Sequence, residues 1–309
     1  MLAYFKKRPF IFFIIPGFVL YTILIIYPIV SAMQFSLFQW NGIGPKIFVG
    51  LGNYIELFSD KRLMDQFINA LLNSIKLFGL TVLIQTPLQI IMAYMIYSNM
   101  KGHRFTHIAI FAPQIICTPI IVFIFRLLLD VNVGVVNNVF ELIGLGSWVH
   151  PWLGIPKLGV IFMYIMITWG GIGVGMTFFL GAMKMVGSDC LEAAYIEGAG
   201  FWTRLTRVIL PQIKVTVVNL ILIAYIYSMT MFDFSYVLGG NTGGVGGSID
   251  TMALFFYRIA FGDSNPIGGK LSENSIGMGT TVACVLFVMI FIIALLQVIF
   301  INRGRDGDV

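Results

Sequence analysis

The chain has 309 residues, and its composition excludes a soluble enzyme, a disulfide-stapled secreted domain and a disordered tail. Hydrophobic residues make up 58% of the chain, charged residues only 11%, and the mean hydropathy is +0.92. Soluble domains carry about 25% charged residues. The net charge of +5 at pH 7 does not indicate nucleic-acid binding, because the position of charges decides their meaning in a membrane protein. The composition therefore predicts an all-α integral membrane protein.

Long intervals without charged residues locate the predicted membrane helices, because a helix needs about 20 mostly apolar residues to cross a bilayer. Six such intervals lie between Arg8 and Lys46, Lys76 and Lys101, Arg104 and Arg126, Lys157 and Lys184, Lys214 and Asp233, and Glu273 and Arg303. The sequence therefore predicts six transmembrane helices. An even number places both termini on the same side of the membrane.

The distribution of charge between the loops predicts the orientation. Lys and Arg are in excess on the side that holds both termini, which makes that side cytoplasmic. The predicted division of the chain is 1–34 for a cytoplasmic tip and the first transmembrane helix, 35–70 for an extracellular loop, 71–302 for a core transmembrane domain of five spans, and 303–309 for a cytoplasmic tail. The protein is accordingly predicted to be a multi-pass protein of the cell membrane.

The cytoplasmic loop 188–211, between the fourth and fifth spans, has the pattern of a helical hairpin. Ser188 can cap a helix with acidic residues in its first turn, and Gly198 stands where a left-handed residue would end it. A second short helix follows from Phe201, with Arg204 and Arg207 on one face. Two interpretations remain open: an amphipathic hairpin lying on lipid headgroups, or a protrusion presented to a cytoplasmic partner.

The run Glu192-Ala193-Ala194, followed by Gly198-Ala199 and Leu210-Pro211, resembles the EAA loop of permease subunits of binding-protein-dependent ABC importers. One departure is Glu197, where the family usually has aspartate before the glycine. Further similarities run along essentially the whole chain, among them Val49 to Tyr54, which is similar to a "GLxNY" segment of carbohydrate permeases. The chain is most similar to the longer-N-terminus subunit of maltose and multiple-sugar systems.

The resemblance implies the type I ABC importer permease fold and a set of partners. These are a second homologous permease subunit, an ATP-binding-cassette ATPase dimer, and an extracellular or periplasmic solute-binding protein. It further implies that the ATPase is contacted by Glu192, Ala193, Ala194, Glu197, Gly198 and Arg204.

No motif in the sequence predicts catalysis or cofactor binding by this chain. Gly269-Lys270 is the nearest match to a phosphate-binding loop, but Ser264 and Leu271 break the pattern. His103 and His107 lack a third metal ligand. We therefore expect no enzymatic activity, no metal and no cofactor in this chain, with ATP and magnesium used by the partner ATPase.

Polar groups inside membrane helices usually face a cavity or another helix, because they are costly in lipid. Candidates on the fourth and fifth spans, which flank the EAA loop, are Trp169, Gly170, Tyr227, Ser228, Met231 and Asp233. Tyr227, Ser228 and Met231 are predicted to share a helix face that offers an aromatic ring and a hydroxyl to a sugar. In the competing interpretation Tyr227 packs between helices, and Gly171 and Gly175 form a small-residue packing motif.

The predicted function is that of a permease subunit of an ATP-driven sugar importer, with an oligosaccharide as the favoured substrate. One alternative is a permease of the same family for a glycerol phosphate or a polyol. A second is an ion-driven secondary transporter, which normally carries paired ionisable groups near the membrane midplane. Asp233 is the only carboxylate predicted within a span, so this alternative is disfavoured.

Overall fold

The computed structural model describes residues 10–100, 102–262 and 274–306. Predictions that concern the N-terminal tip up to residue 9, the outer-loop residues 263–273 and the last three residues of the tail lie outside these ranges.

Among the described residues, five helical segments are long and apolar enough to cross a membrane, and a bent helix pair makes a sixth candidate. We number them in chain order as span 1 (Phe13–Phe35), span 2 (Lys61–Tyr97), span 3 (His103–Ile115 with Thr118–Leu128), span 4 (Pro156–Lys184), span 5 (Lys214–Thr242) and span 6 (Ser275–Ile299). The prediction of a multi-span helical membrane protein is confirmed.

The spans contain several kinds of helical turn. Their α-helical parts are Phe10–Tyr21, Tyr27–Phe35, Lys61–Leu80, Thr86–Tyr97, His103–Phe111, Thr118–Leu128, Pro156–Lys184, Lys214–Thr230, Asp233–Gly239 and Ser275–Asp306. Span 1 includes a π-helical segment at Thr22–Ile26, and span 2 includes one at Thr81–Gln85. Span 3 includes a 3-10 turn at Ala112–Ile115, and span 5 includes one at Gly240–Thr242.

Shorter elements connect the spans. The helices are Gly52–Ser59, Val135–Leu142, Ser188–Ile196, Phe201–Thr203, Leu210–Gln212 and Met252–Phe261, with a π-helical segment Arg204–Ile209 and 3-10 turns Gly146–Trp148 and Val245–Gly247. The strands Phe38–Gln39 and Ile47–Phe48 pair antiparallel, a small addition to the all-α prediction. Residues 61–70, which the sequence analysis assigned to the extracellular loop, belong to the helix that begins at Lys61.

Span 3 corrects the prediction of one continuous helix between Arg104 and Arg126. Its two halves meet at an angle of 103°. Pro113 lies in the 3-10 turn at the end of the first half, Cys117 is extended, and Pro119 is the second residue of the next helix. Because proline lacks an N–H and disfavours helical geometry in the residue before it, two prolines six residues apart interrupt the helix.

The chain divides into two compact units, residues 1–65 with 256–288, and residues 66–255 with 289–309. In the first unit, the buried amide of Asn53 closes the turn that follows span 1. Its Nδ2 donates to the carbonyl oxygens of Ser36 (2.8 Å) and Phe38 (2.9 Å), and its Oδ1 accepts from Asn274 (2.8 Å). The amide thus satisfies backbone groups that the end of the helix leaves unpaired.

Replacing Asn53 with leucine is expected to destabilise this unit by about 1–3 kcal/mol, because buried carbonyls lose their donor. A lower thermal midpoint of the detergent-solubilised protein would show it. Asn138→Leu, at an exposed position on the helix Val135–Leu142, is the control and should leave the midpoint nearly unchanged. An unchanged midpoint in Asn53→Leu would contradict this assignment.

The second unit has two apolar cores. The first joins residues of spans 2 to 5 with Trp152 and Ile249, which lie in loops between the spans. Its members are Leu77, Ile121, Val122, Leu129, Trp152, Met163, Tyr164, Met166, Ile167, Met231, Phe234 and Ile249. The second joins spans 2 and 4 to the segment that follows the loop glycines: Ile90, Ala93, Tyr94, Ile96, Met176, Phe179, Leu180, Met183, Leu205, Ile209 and Ile213. The second core therefore includes part of the predicted coupling loop.

Candidate functional site

Residues 188–212, which we call the EAA hairpin, fold as two short helical arms joined by a glycine turn. The first arm is Ser188–Ile196, and Gly198 follows it with φ of +74°. The N–H of Ala199 donates to the carbonyl of Ala194 (2.9 Å) and the N–H of Gly198 to that of Tyr195 (3.1 Å). These two bonds form a Schellman motif, which favours glycine at the left-handed position. The predicted helix end at Gly198 is confirmed.

The second arm of the EAA hairpin, residues 201–212, packs against the membrane helices. Leu205 and Ile209 are buried in the second apolar core with residues of spans 2 and 4. The ring of Phe201 lies 4.8 Å from that of Tyr94 at the end of span 2. In the headgroup interpretation the apolar side of this arm would face lipid. It is packed against protein instead, which favours the alternative of a protrusion for a partner.

Arg204 joins the two arms. Its guanidinium carbon lies 3.6 Å from the centroid of the Tyr195 ring, a cation–π contact between the second arm and the first. Its Nε and Nη1 atoms are buried and have no hydrogen-bond partner among the described residues. The side chain therefore holds the two arms together, and its Nε and Nη1 donors remain unpaired beside the second arm.

The exposed part of the EAA hairpin carries most of the predicted coupling residues. Glu192, Ala193, Glu197 and Gly198 are exposed, whereas Ala194 is buried and Arg204 is partly buried. The side chain of Ile196, between these residues, is 88% exposed. An apolar tip with acidic neighbours, presented on a packed base, is a surface suited to a protein partner.

Replacing Arg204 with leucine is expected to loosen the first arm, because the cation–π contact contributes about 0.5–2 kcal/mol. Amide hydrogen exchange of residues 189–199 should become about 2- to 30-fold faster by local opening. Arg207→Leu, at an exposed position one turn away, is the matched control and should leave these rates unchanged. Equal exchange in Arg204→Leu and wild type would show that the contact does not hold the arm.

Spans 2, 4 and 5 enclose a cavity of about 290 Å³. It is lined by Thr81, Gln85, Thr86, Gln89, Ile167, Gly171, Val174, Gly175, Phe178, Leu220, Ile223, Ala224 and Tyr227. The polar residues lie mainly on span 2, at and just after its π-helical segment, where the Thr86 hydroxyl donates to the carbonyl of Thr81 (3.0 Å). We call this space the amide cavity, after its two glutamines.

Of the predicted substrate residues Tyr227 and Asp233, only Tyr227 lines the amide cavity. Tyr227 lines the amide cavity with its side chain 46% exposed. Asp233 is exposed at the start of the helix Asp233–Gly239 and is not among the residues that line the cavity. Tyr227 therefore offers an aromatic ring to a solute that enters the amide cavity.

The other four predicted residues are placed elsewhere. Ser228 is fully buried and donates to the carbonyl of Ala224 (2.8 Å), and Met231 lies in the first apolar core beyond the end of the helix at Thr230. Trp169 lines a separate, mostly apolar cavity of about 480 Å³. A Cβ on Gly170 would lie 2.9 Å from Cδ1 of Ile121, so this glycine permits close helix packing. The structure does not bring these four to the amide cavity.

The polar residues of span 2 were not among the predicted substrate residues. Gln85, Thr86 and Gln89 form a polar run within an otherwise apolar segment, a pattern that indicates a cavity-facing stripe. The predicted substrate residues lie only on spans 4 and 5, which flank the EAA loop. The same test applied to every span finds these residues.

Span 5 is interrupted between Thr230 and Asp233, and side chains stabilise the break. The Thr251 hydroxyl donates to the carbonyl of Met231 (2.7 Å). Arg126 Nη2 donates to the carbonyls of Val237 (3.0 Å) and Leu238 (2.8 Å), near the end of the helix Asp233–Gly239. A cation there satisfies the unpaired carbonyls of a helix C-terminus. Arg126 thereby positions the short helix that begins at Asp233.

These features define a multi-pass membrane protein with a structured hairpin between spans 4 and 5. Residues 85–306 match the family described as "Binding-protein-dependent transport system inner membrane component", and the chain belongs to this family of the cell membrane.

Solved and curated relatives agree with this family. The chain is similar to a chain of the crystal structure of a bacterial alginate ABC transporter in complex with an alginate pentasaccharide-bound periplasmic protein, with a TM-score of 0.79, 20% identity, and coverage of 96% of this chain and 95% of that one. This likeness confirms the predicted importer permease fold.

Two curated relatives are permeases of saccharide transport systems. The lactose transport system permease protein LacF of Rhizobium radiobacter is 27% identical over 92% of this chain and 91% of that protein. The arabinooligosaccharides transport system permease protein AraP of Bacillus subtilis (strain 168) is 28% identical over 96% of this chain and 89% of that protein.

Proposed function

We propose that this chain is one permease subunit of an ATP-driven oligosaccharide importer. The transport systems that LacF and AraP are named for carry lactose and arabinooligosaccharides. The amide cavity supports a saccharide substrate, because it combines the Tyr227 ring with hydroxyl and amide groups. Ligand sites commonly combine an apolar wall with a few placed polar groups.

The observation that carries the proposal is the EAA hairpin, whose base is packed and whose tip is exposed. In the proposed mechanism a separate ATPase dimer, which binds ATP and magnesium, docks on the tip around Glu192, Ala193, Glu197 and Gly198. Since Leu205 and Ile209 are buried against spans 2 and 4, movement of the tip is transmitted to the helices around the amide cavity. Rigid-body rocking of this kind exposes a central site to alternate sides of the membrane.

The remaining partners follow from the same proposal. A second homologous permease subunit completes the path, and an extracellular or periplasmic solute-binding protein delivers the sugar. The apolar helix of span 1 has no buried residue in its most hydrophobic stretch, so the bilayer or the second subunit has an apolar surface to cover. Neither a nucleic-acid partner nor a cofactor bound by this chain is part of the proposal.

Reconstitution in vesicles tests the proposal. The purified chain should accumulate radiolabelled oligosaccharide only when the second permease, the ATPase, the loaded binding protein and Mg-ATP are all present. Omitting any single component is the control. Accumulation by the chain alone, or uptake driven by an ion gradient without ATP, would overturn the proposal.

A further inference from the structure

Two glutamine side chains in the amide cavity have no role in the packing of the chain's own polar groups. Gln85 and Gln89 lie one helical turn apart on span 2 and are only 7% and 8% exposed. Both line the cavity. No hydrogen bond joins either side-chain amide to another group of the described residues. The amide atoms are accessible within the cavity rather than sealed in the protein, so they can pair with a polar group that enters it.

Span 4 provides the space that the Gln89 amide occupies. A Cβ at position 175 would overlap the carboxamide of Gln89, so only glycine fits there while Gln89 keeps its position. One turn earlier, a Cβ on Gly171 would lie 3.6 Å from Nε2 of Gln85, an ordinary contact. The two glycines therefore differ in a way that an experiment can use.

The chemistry of the lining selects the ligand class. Each amide offers a carbonyl acceptor and an NH₂ donor, which matches a hydroxyl group that both donates and accepts. Among the lining residues, all of which the structure describes, none is Asp, Glu, Lys, Arg or His. A charged group would enter without a counter-ion, at a large desolvation cost. The cavity volume of about 290 Å³ lies just below the range of about 300–1,000 Å³ for ligand pockets, which suits a single small unit.

We propose that Gln85 and Gln89 bind hydroxyl groups of an uncharged saccharide unit, and that the amide cavity selects neutral over acidic oligosaccharides. The inference rests on the proposed function and adds the residues and the substrate class. Tyr227, across the cavity, supplies the ring on which the apolar side of a sugar packs. The two glutamines are thereby specificity-determining residues for transport.

The test uses the complete importer reconstituted with its partners, and compares uptake of lactose, maltooligosaccharides and arabinooligosaccharides with uptake of alginate oligosaccharides. In wild type only neutral sugars should be taken up.

Gln89→Leu and Gly175→Ala should each raise KM for the transported sugar by about tenfold or more, because the first removes the placed amide and the second displaces it. Gly171→Ala is the matched control and should stay within about twofold of wild type, since its Cβ makes only an ordinary contact. The double variant Gln89→Leu with Gly175→Ala should be no worse than the stronger single variant.

Assembly by size-exclusion chromatography and basal ATPase activity are measured for each variant. If Gln89→Leu assembles and transports with the wild-type KM, the inference is overturned. It is also overturned if both Gln89→Leu and Gln89→Met fail to assemble, because Gln89 is then a packing residue. Efficient wild-type uptake of alginate oligosaccharides would overturn neutral selection. If wild type takes up no oligosaccharide with its binding protein present, the proposed function itself fails. That result differs from sugar uptake that is the same in wild type and in Gln89→Leu, which overturns only the inference.

Discussion

The Gly198→Val importer is expected to hydrolyse ATP while accumulating at least about tenfold less sugar per ATP than wild type. A tenfold loss corresponds to about 1.4 kcal/mol, which lies within the 1–3 kcal/mol that is typical of coupling between two sites. Gly198 has φ of +74°, where a β-branched residue is strained by about 1–3 kcal/mol. In the described part of the chain, no atom outside the adjacent residues lies within 4 Å of a Cβ built at this position, so the cost is conformational rather than a collision. Valine would therefore disturb the Schellman turn without disturbing the core.

Uptake and ATP hydrolysis measured on the same vesicles provide the test. Two variants serve as controls. Gly198→Asn keeps a residue that tolerates the left-handed conformation. Gly200→Ser changes a nearby glycine whose φ is −69° and which precedes the second arm, where serine is favoured. Both should stay near wild-type coupling. Full coupling in Gly198→Val would show that the turn does not transmit movement.

Tyr227→Ala is expected to raise KM for sugar by about 10- to 150-fold, since burying a large apolar side chain against a ligand contributes about 1.5–3 kcal/mol. The ring lines the amide cavity and remains 46% exposed in this chain, so it has surface left for a ligand. Removing it should leave the apolar cores intact, because Tyr227 belongs to neither. Initial uptake rates at varied sugar concentration measure the effect.

Tyr227→Phe separates the ring from the hydroxyl. If the hydroxyl contributes one hydrogen bond, its loss should cost only about 0.5–1.5 kcal/mol, or about 2- to 13-fold in KM. Assembly and basal ATPase activity should be unchanged in both variants. Loss of assembly in Tyr227→Ala would instead assign the ring to helix packing.

Local signals in the sequence predicted the helices and the hairpin well. Charge-free intervals identify spans because each depends only on its own hydropathy, and Gly198 ends a helix through its own backbone preference. The bend of span 3 was missed because hydropathy does not register Pro113 and Pro119, although their backbone chemistry does. These predictions required no knowledge of neighbouring helices.

The cavity depended on tertiary structure. Ser228 and Met231 were grouped with Tyr227 by helical spacing, but the helix ends at Thr230 and Ser228 turns its hydroxyl to its own backbone. The sequence marks Gln85 and Gln89 as polar residues of an apolar span, but only the packing of span 4 shows that Gly175 lies against Gln89. Which polar residue of a span meets a ligand is decided by the partner helix, which spacing along one span does not reveal.

The π-helical segment Thr81–Gln85 has a consequence for how such permeases diverge. A π turn accommodates one more residue than an α turn, so deleting one residue there would restore a regular helix. Because the wide turn absorbs the extra residue, the part that carries Gln89 would keep nearly its present orientation. A deletion within the regular helix Lys61–Leu80 would instead rotate the Gln89 part by about 100° relative to the rest, and Gln89 would leave the cavity. The wide turn is therefore the place on span 2 where a one-codon deletion would preserve the solute preference.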